Sequence, residues 1–194
     1  MNMQADETPI RAFFAIELPD NIKVIIHDLI EDLQKFYPPN ALRWIKPQSL
    51  HITLQFLKQI NRHDLNRLIE IASPVIKNLS RVELTLGPVQ FFPGTTHPKI
   101  IVLDTQPQAA LMKISKTLGR CLSEISFPEE KRLFRGHVSL GRFNFNTAKE
   151  PIDLPDMPTQ TLPPFKPDDI ILFQSQPKPS ESHYMALKHF PFLD

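Results

Sequence analysis

Two tetrapeptides of one kind stand in separate halves of the chain, His51-Ile52-Thr53-Leu54 and His137-Val138-Ser139-Leu140. Each supplies an imidazole, a β-branched residue, a hydroxyl and a leucine. An imidazole titrates near ~6.5, so one ring of a pair can be neutral and the other protonated around neutral pH. That suits in-line phosphoryl transfer, in which one histidine takes a proton from the attacking oxygen while the other gives one to the leaving oxygen. Thr53 and Ser139 then have the chemistry to donate hydrogen bonds to non-bridging oxygens as negative charge builds there. Such an arrangement calls for no metal and no cofactor.

Both tetrapeptides lie in runs that read as strands, 50–57 and 137–143. Alternate side chains of a strand share a face, so His51 points with Thr53, and His137 with Ser139, while the aliphatic residues between them face a core. Two more residues bear on the same chemistry. Arg142 follows His137 by five positions, an odd offset that an ideal strand would send to the opposite face. Gly141 before it permits a bulge that returns the guanidinium to the site, where it would neutralise phosphate charge or lie across a base. Phe56, five after His51, is a stacking surface for a base under the same condition.

Other site designs are poorly served. The chain has no HExxH, no GxSxG and no Asp-rich cluster beside the histidines. Its 5 glycines are too scattered for a GxGxxG or GxxxxGK[ST] phosphate loop. The single Cys121 excludes an internal disulfide and reads as a core thiol on the apolar side of a helix. With 22 Lys+Arg against 21 Asp+Glu, non-specific duplex binding is disfavoured, and any nucleic-acid contact should be local, at an end or a single nucleotide. Residues 1–8 have no targeting organisation, and no apolar stretch approaches the ~18 residues of a membrane span. The expectation is a cytoplasmic protein with no membrane attachment and no obligatory protein partner.

The elements that must position the histidines follow from periodicity. Residues 11–18 read as a buried strand, and 21–36 as a helix with Asp20 as its cap and Pro38-Pro39 as its stop. A short apolar piece, 42–45, precedes the first histidine strand, with Trp44 expected as a buried aromatic beside the site. A second helix begins near Asn61 and should kink or end at Pro74. Strands are expected over 82–91 and 99–104, a helix over 107–125, a charged turn at 128–132, an irregular crossing segment over 144–168, and closing strands over 169–174 and 183–189. Each half thus has helix cover and one histidine strand. The expected fold is α+β and bilobal, a pseudo-two-fold duplication with two mostly antiparallel sheets facing a central groove and helices outside, built from residues 1–194 as one domain.

The paired motifs, with Arg43-Trp44, the run Ser49 to Leu57 and the run Phe134 to Arg142, resemble the two-histidine phosphoesterase superfamily. Within it the chain is most similar to the RNA 2′,3′-cyclic phosphodiesterases formerly called 2′-5′ RNA ligases. The resemblance extends from Arg11-Ala12-Phe13-Phe14-Ala15-Ile16 through Phe91-Phe92-Pro93 to Tyr184-Met185-Ala186-Leu187 and Phe190-Pro191. It implies metal-free opening of a 2′,3′-cyclic phosphate at an RNA 3′ end to leave a 2′-phosphate. His51 would be the acid for the O3′ leaving group and His137 the base for water, with Thr53, Ser139 and Arg142 on the phosphate. The family often has arginine where Gln55 stands, glycine where Lys58 stands and proline where Gly136 stands; Gly136 is expected to loosen its turn. Two other functions stay open: a binding module for RNA-end or cyclic-nucleotide phosphate without turnover, and a related enzyme acting on 2′-5′ oligonucleotides or cyclic ADP-ribose phosphate.

Overall fold

The computed structural model describes residues 8–57, 59–125, 127, 133–144, 162–177 and 182–193. Ala12 to Ile16 of β1 (Arg11–Glu17) are all at most 1% exposed, because this strand has neighbours on both edges and cover on both faces. Helix α1 (Asp20–Gln34) buries the stripe Ile22, Ile26, Leu29, Ile30 and Leu33. Its cap position belongs to Pro19, and Asp20 sits one residue inside, where its charge faces the positive end of the helix dipole. After β2 (Leu42–Trp44) and a single 3-10 turn (Pro47–Ser49) comes β3 (His51–Phe56), the first histidine strand.

Helix α2 (Asp64–Lys77) starts three residues later than the sequence suggests and runs past Pro74 to Lys77. Pro74 is exposed in the last turn, so the backbone bond it forfeits lies at the solvent-side end of the helix rather than in the buried stripe of Leu68, Ala72 and Ile76. β4 (Thr85–Phe92) and β5 (Ile100–Gln106) form an antiparallel pair joined by the loop at 93–99. Helix α3 (Gln108–Ser123), the second histidine strand β6 (His137–Phe143), β7 (Asp169–Pro177) and β8 (Ser182–Pro191) complete the chain. The expected turn at 128–132 and most of the crossing segment at 144–168 lie outside the described residues. No described helix is long and apolar enough to cross a membrane.

The strands hydrogen-bond in the order β4-β5-β6-β3-β1-β7-β8, with β2 also on β6. All the pairings between these strands are antiparallel. The two expected sheets are therefore two four-stranded halves meeting at β3 and β6. The order β1-α1-β3 in one half is repeated by β5-α3-β6 in the other. One hydrophobic cluster joins the helix stripes to Phe14, Ile16, Ile52, Ile101, Leu103 and Val138, which are alternate residues from one face of the strands. The opposite face carries the polar residues of both tetrapeptides.

Candidate active site

The two halves are held in register by the pair Ile52↔Val138. Continued by one residue in each direction, this antiparallel register sets His51 opposite Ser139 and Thr53 opposite His137. All four side chains lie on the face away from Ile52 and Val138. Each histidine thus faces the other half's hydroxyl, and the two imidazoles occupy diagonal positions, whose typical separation is about 7–8 Å. The sequence expected the pairs to converge, and the ladder interleaves them.

The same defect sits in both halves. Between β1 and β3 the register steps from Ala15↔Thr53 to Phe14↔Gln55, leaving Leu54 as an extra residue. Between β5 and β6 it steps from Val102↔Ser139 to Ile101↔Gly141, leaving Leu140 extra. Each bulge shifts the alternation by one, so the fifth residue after each histidine returns to the histidine's face. Phe56 accordingly pairs with Phe13 on that face, their rings 5.4 Å apart, and is 54% exposed. Arg142 pairs with Ile100 and is exposed. Gln55 is turned to the core and buried. The carbonyls of the bulged leucines are satisfied: the Ser115 hydroxyl of α3 donates to Leu54 O at 2.7 Å, and the Ile45 N–H donates to Leu140 O at 2.8 Å.

Both rings are oriented by their own strand's approach. His51 Nδ1 lies 2.7 Å from the Ser49 carbonyl and His137 Nδ1 2.8 Å from the Arg135 carbonyl. A carbonyl only accepts, so Nδ1 carries the hydrogen in each ring and Nε2 is left for proton exchange. His51 Nε2 is 3.0 Å from Thr53 Oγ1, whose hydroxyl donates to the neutral ring and accepts from the protonated one. Aromatic rings pack on both imidazoles: Phe13 at 5.0 Å and the edge-on Tyr184 at 5.1 Å on His51, and Phe92 stacked at 4.8 Å on His137. This burial disfavours the charged imidazolium and lowers His51 to about 4, with the positive charges of Arg142 and His137 pushing the same way and the Ser49 carbonyl opposing. His137 is lowered for the same main cause, with Arg142 and Arg135 adding to it.

Two acids facing the histidines were not anticipated. Glu17 of β1 is the direct cross-strand partner of His51, and Asp104 of β5 is the direct partner of His137. Both raise the proton affinity of the ring they face. Glu17 is held by Lys23 Nζ at 2.7 Å, and Asp104 accepts from the amides of Gln106 at 2.9 Å and Gln108 at 3.2 Å. Their positions depend on a register that no local pattern encodes; an acid at or near the end of the strand before α1 and of the strand before α3 was the available signal. Gln108 also corrects the expectation of a loose turn at Gly136. Its amide oxygen accepts from Gly136 N–H at 2.9 Å and its amide nitrogen donates to Gly136 O at 2.7 Å. A Cβ at Gly136 would come within 2.6 Å of Thr105 Oγ1, so the position is both clamped and tightly enclosed.

Trp44 is half-buried, packed on Tyr37 at 5.9 Å and against Gly141 on the face opposite the histidines, so it supports β2 from beneath rather than lining the site as expected. Cys121 is buried, and its thiol lies 3.5 Å from the Ile71 carbonyl. The other five histidines are exposed and stand apart from the two tetrapeptides: His27 near Glu31, His63 near Asp64, His189 on Asp169, and His97 and His183 toward solvent. Lys58 lies outside the described residues. A surface cavity of about 580 Å³ at the C-terminal end of α2, lined by Lys77, Arg81, Lys166 and neighbours, shares no residue with the histidine face.

The family model for LigT like Phosphoesterase matches residues 16–102, a span that includes the first histidine strand. Over that span the chain is similar to the LigT-like phosphoesterases. The second histidine strand lies beyond the matched span, and it is the sheet register that brings it to the first. Among similar proteins, the RNA 2′,3′-cyclic phosphodiesterase of Archaeoglobus fulgidus is 24% identical over 132 residues, 68% of this chain and 72% of the relative. The protein of the same name from Methanocaldococcus jannaschii is 24% identical over 140 residues, 72% of this chain and 75% of the relative. In fold, the chain is similar to E. coli LigT complexed with 3′-AMP, with a TM-score of 0.77 at 24% identity, covering 96% of this chain and 99% of that one. A Thermus thermophilus protein superposes with the same TM-score of 0.77 at 18% identity, covering 94% of this chain and 97% of that one.

Proposed function

We propose that this LigT-like chain opens 2′,3′-cyclic phosphates at RNA 3′ ends to 2′-phosphates by metal-independent histidine acid–base catalysis. The observation that carries this is the crossed placement of two imidazole–hydroxyl pairs on one face about Ile52↔Val138. His137 takes a proton from water as its oxygen bonds to phosphorus. The P–O3′ bond breaks, and His51 gives its proton to O3′. Thr53, Ser139 and Arg142 hold the non-bridging oxygens, and Phe56 stacks on the base. Attack by an RNA 5′-hydroxyl instead of water would run the same chemistry toward a 2′-5′ link.

Without substrate His51 has a low proton affinity, so its role as acid draws on the bound phosphate, whose negative charge offsets that of Arg142 and raises the pKa. We read residues 1–194 as a single bilobal unit, working in the cytoplasm on RNA ends. The names borne by the relatives agree with this substrate class. The test is incubation of adenosine 2′,3′-cyclic phosphate with wild type and His51→Ala in excess EDTA. Adenosine 2′-phosphate formed by wild type and lost in the variant supports the proposal. Tight binding of the cyclic phosphate with no turnover would make the protein a binding module instead.

A further inference from the structure

Arg43 of β2 is the direct antiparallel partner of Arg142 of β6. Directly opposed residues share a face, so its side chain rises on the same face as Arg142 and the two histidines. Like charges in that relation destabilise a sheet. Neither guanidinium has a carboxylate partner among the described residues, and both are exposed. β2 is nevertheless pinned. Trp44, the next residue, lies on the other face against Gly141, where a Cβ would meet its ring at 2.9 Å, and Ile45 N–H is bonded to the bulged Leu140 carbonyl at 2.8 Å. Two cations side by side with no counter-ion among the described residues make a place for an anion brought by a ligand.

Ser139 pairs with Val102 and Arg142 with Ile100, two residues apart on β5, so the bulge leaves Arg142 roughly 7 Å along the sheet from Ser139 at ~3.3 Å per residue. That is about the span of one nucleotide from the position between the histidines. We infer that Arg43 binds a second phosphate, the one on the 5′ side of the nucleotide whose cyclic phosphate lies between His51 and His137. This rests on the proposed function and deepens it: the substrate is a nucleotide unit phosphorylated at both ends, an RNA terminus rather than a bare nucleoside cyclic phosphate. Arg142 is shared between the two phosphates, and Arg43 serves the outer one alone.

The test compares three substrates with wild type and Arg43→Gln: adenosine 2′,3′-cyclic phosphate, its 5′-phosphorylated form, and a dinucleotide ending in a 2′,3′-cyclic phosphate. The expected result is a fall of about tenfold or more in the ratio of kcat/KM for the phosphorylated substrates to that for the nucleoside, carried by KM. A fall with the dinucleotide alone assigns the site to an internal phosphodiester, and a fall with both assigns it to any 5′-phosphate. An unchanged ratio overturns the inference. If wild type turns over none of the three, the proposed function fails, and calorimetry with adenosine 2′-phosphate and adenosine 2′,5′-bisphosphate still decides. Tighter binding of the bisphosphate that disappears in Arg43→Gln upholds the second subsite; equal binding in both proteins removes it.

Discussion

Ile52 lies directly across the ladder from Val138, both side chains fully buried, with the strands of one half on each side of the pair. Their neighbours in sequence are the four residues proposed to act on phosphate, so packing beneath the sheet sets geometry above it. Ile52→Ala should cost about 2–5 kcal/mol of stability, as for other fully buried aliphatic truncations. It should also lower kcat more than it raises KM, because the two histidines lose their mutual placement. Urea unfolding and steady-state kinetics of the same preparation would check both.

Removing either imidazole should be nearly as damaging as removing both. His51→Ala and His137→Ala are each expected to lower kcat by about 10²–10⁴-fold, with the double variant falling little further, since acid and base act in one displacement at phosphorus. Additive losses, measured by ³¹P NMR of the 2′-phosphate product, would mean that the rings act separately.

The histidine titrations should respond to their charged neighbours with a definite sign. Arg142 lowers both rings, so Arg142→Gln should raise the pKa of His51 and of His137. Glu17 raises His51 and Asp104 raises His137, so Glu17→Gln should lower the first alone and Asp104→Asn the second alone. Imidazole proton shifts followed by NMR across pH separate the three variants.

Stability should fall toward acid pH. His51 titrates near 4 in the folded protein, against ~6.5 in the unfolded chain, so between those values the unfolded chain binds the extra proton. The contribution is complete above ~6.5 and is lost as pH drops toward 4; His137 adds in the same direction. Denaturation of His51→Asn from about pH 7 to about pH 5 should show a shallower loss than wild type. Equal slopes would contradict the assigned cause.

Gln108 should be a structural key for the second histidine strand. Gln108→Ala strands both the N–H and the carbonyl of buried Gly136, at about 1–3 kcal/mol for an unsatisfied buried group. Gly136→Pro loses the same N–H donor and meets Thr105 and Leu111, so it should destabilise the fold. Thermal unfolding would place the two variants.

The histidines, their hydroxyls and the aliphatic residues beneath them were legible because period-two alternation is local to a strand. The helix stripes were legible for the same kind of reason, and only their ends moved: Asp20 became an inner residue of α1, and α2 ran past Pro74. Glu17 and Asp104 were not legible, because a cross-strand partner is set by non-local register. The bulge after Ser139 had a glycine to suggest it, but its twin at Leu54 has none and depends on Ser115, 61 residues away, to satisfy its carbonyl.

The paired bulges have one more consequence. They bring position 56 and position 142 to equivalent stations beside the two rings, yet one station holds a flat apolar ring and the other a fixed positive charge. A scaffold that repeats itself thereby carries unlike side chains at its two ends, and if Phe56 and Arg142 act as proposed, a molecule with a base at one end and an anion at the other would have a single way round to lie. On the proposed function, these two side chains would decide the polarity of docking, and with it which imidazole meets the leaving oxygen.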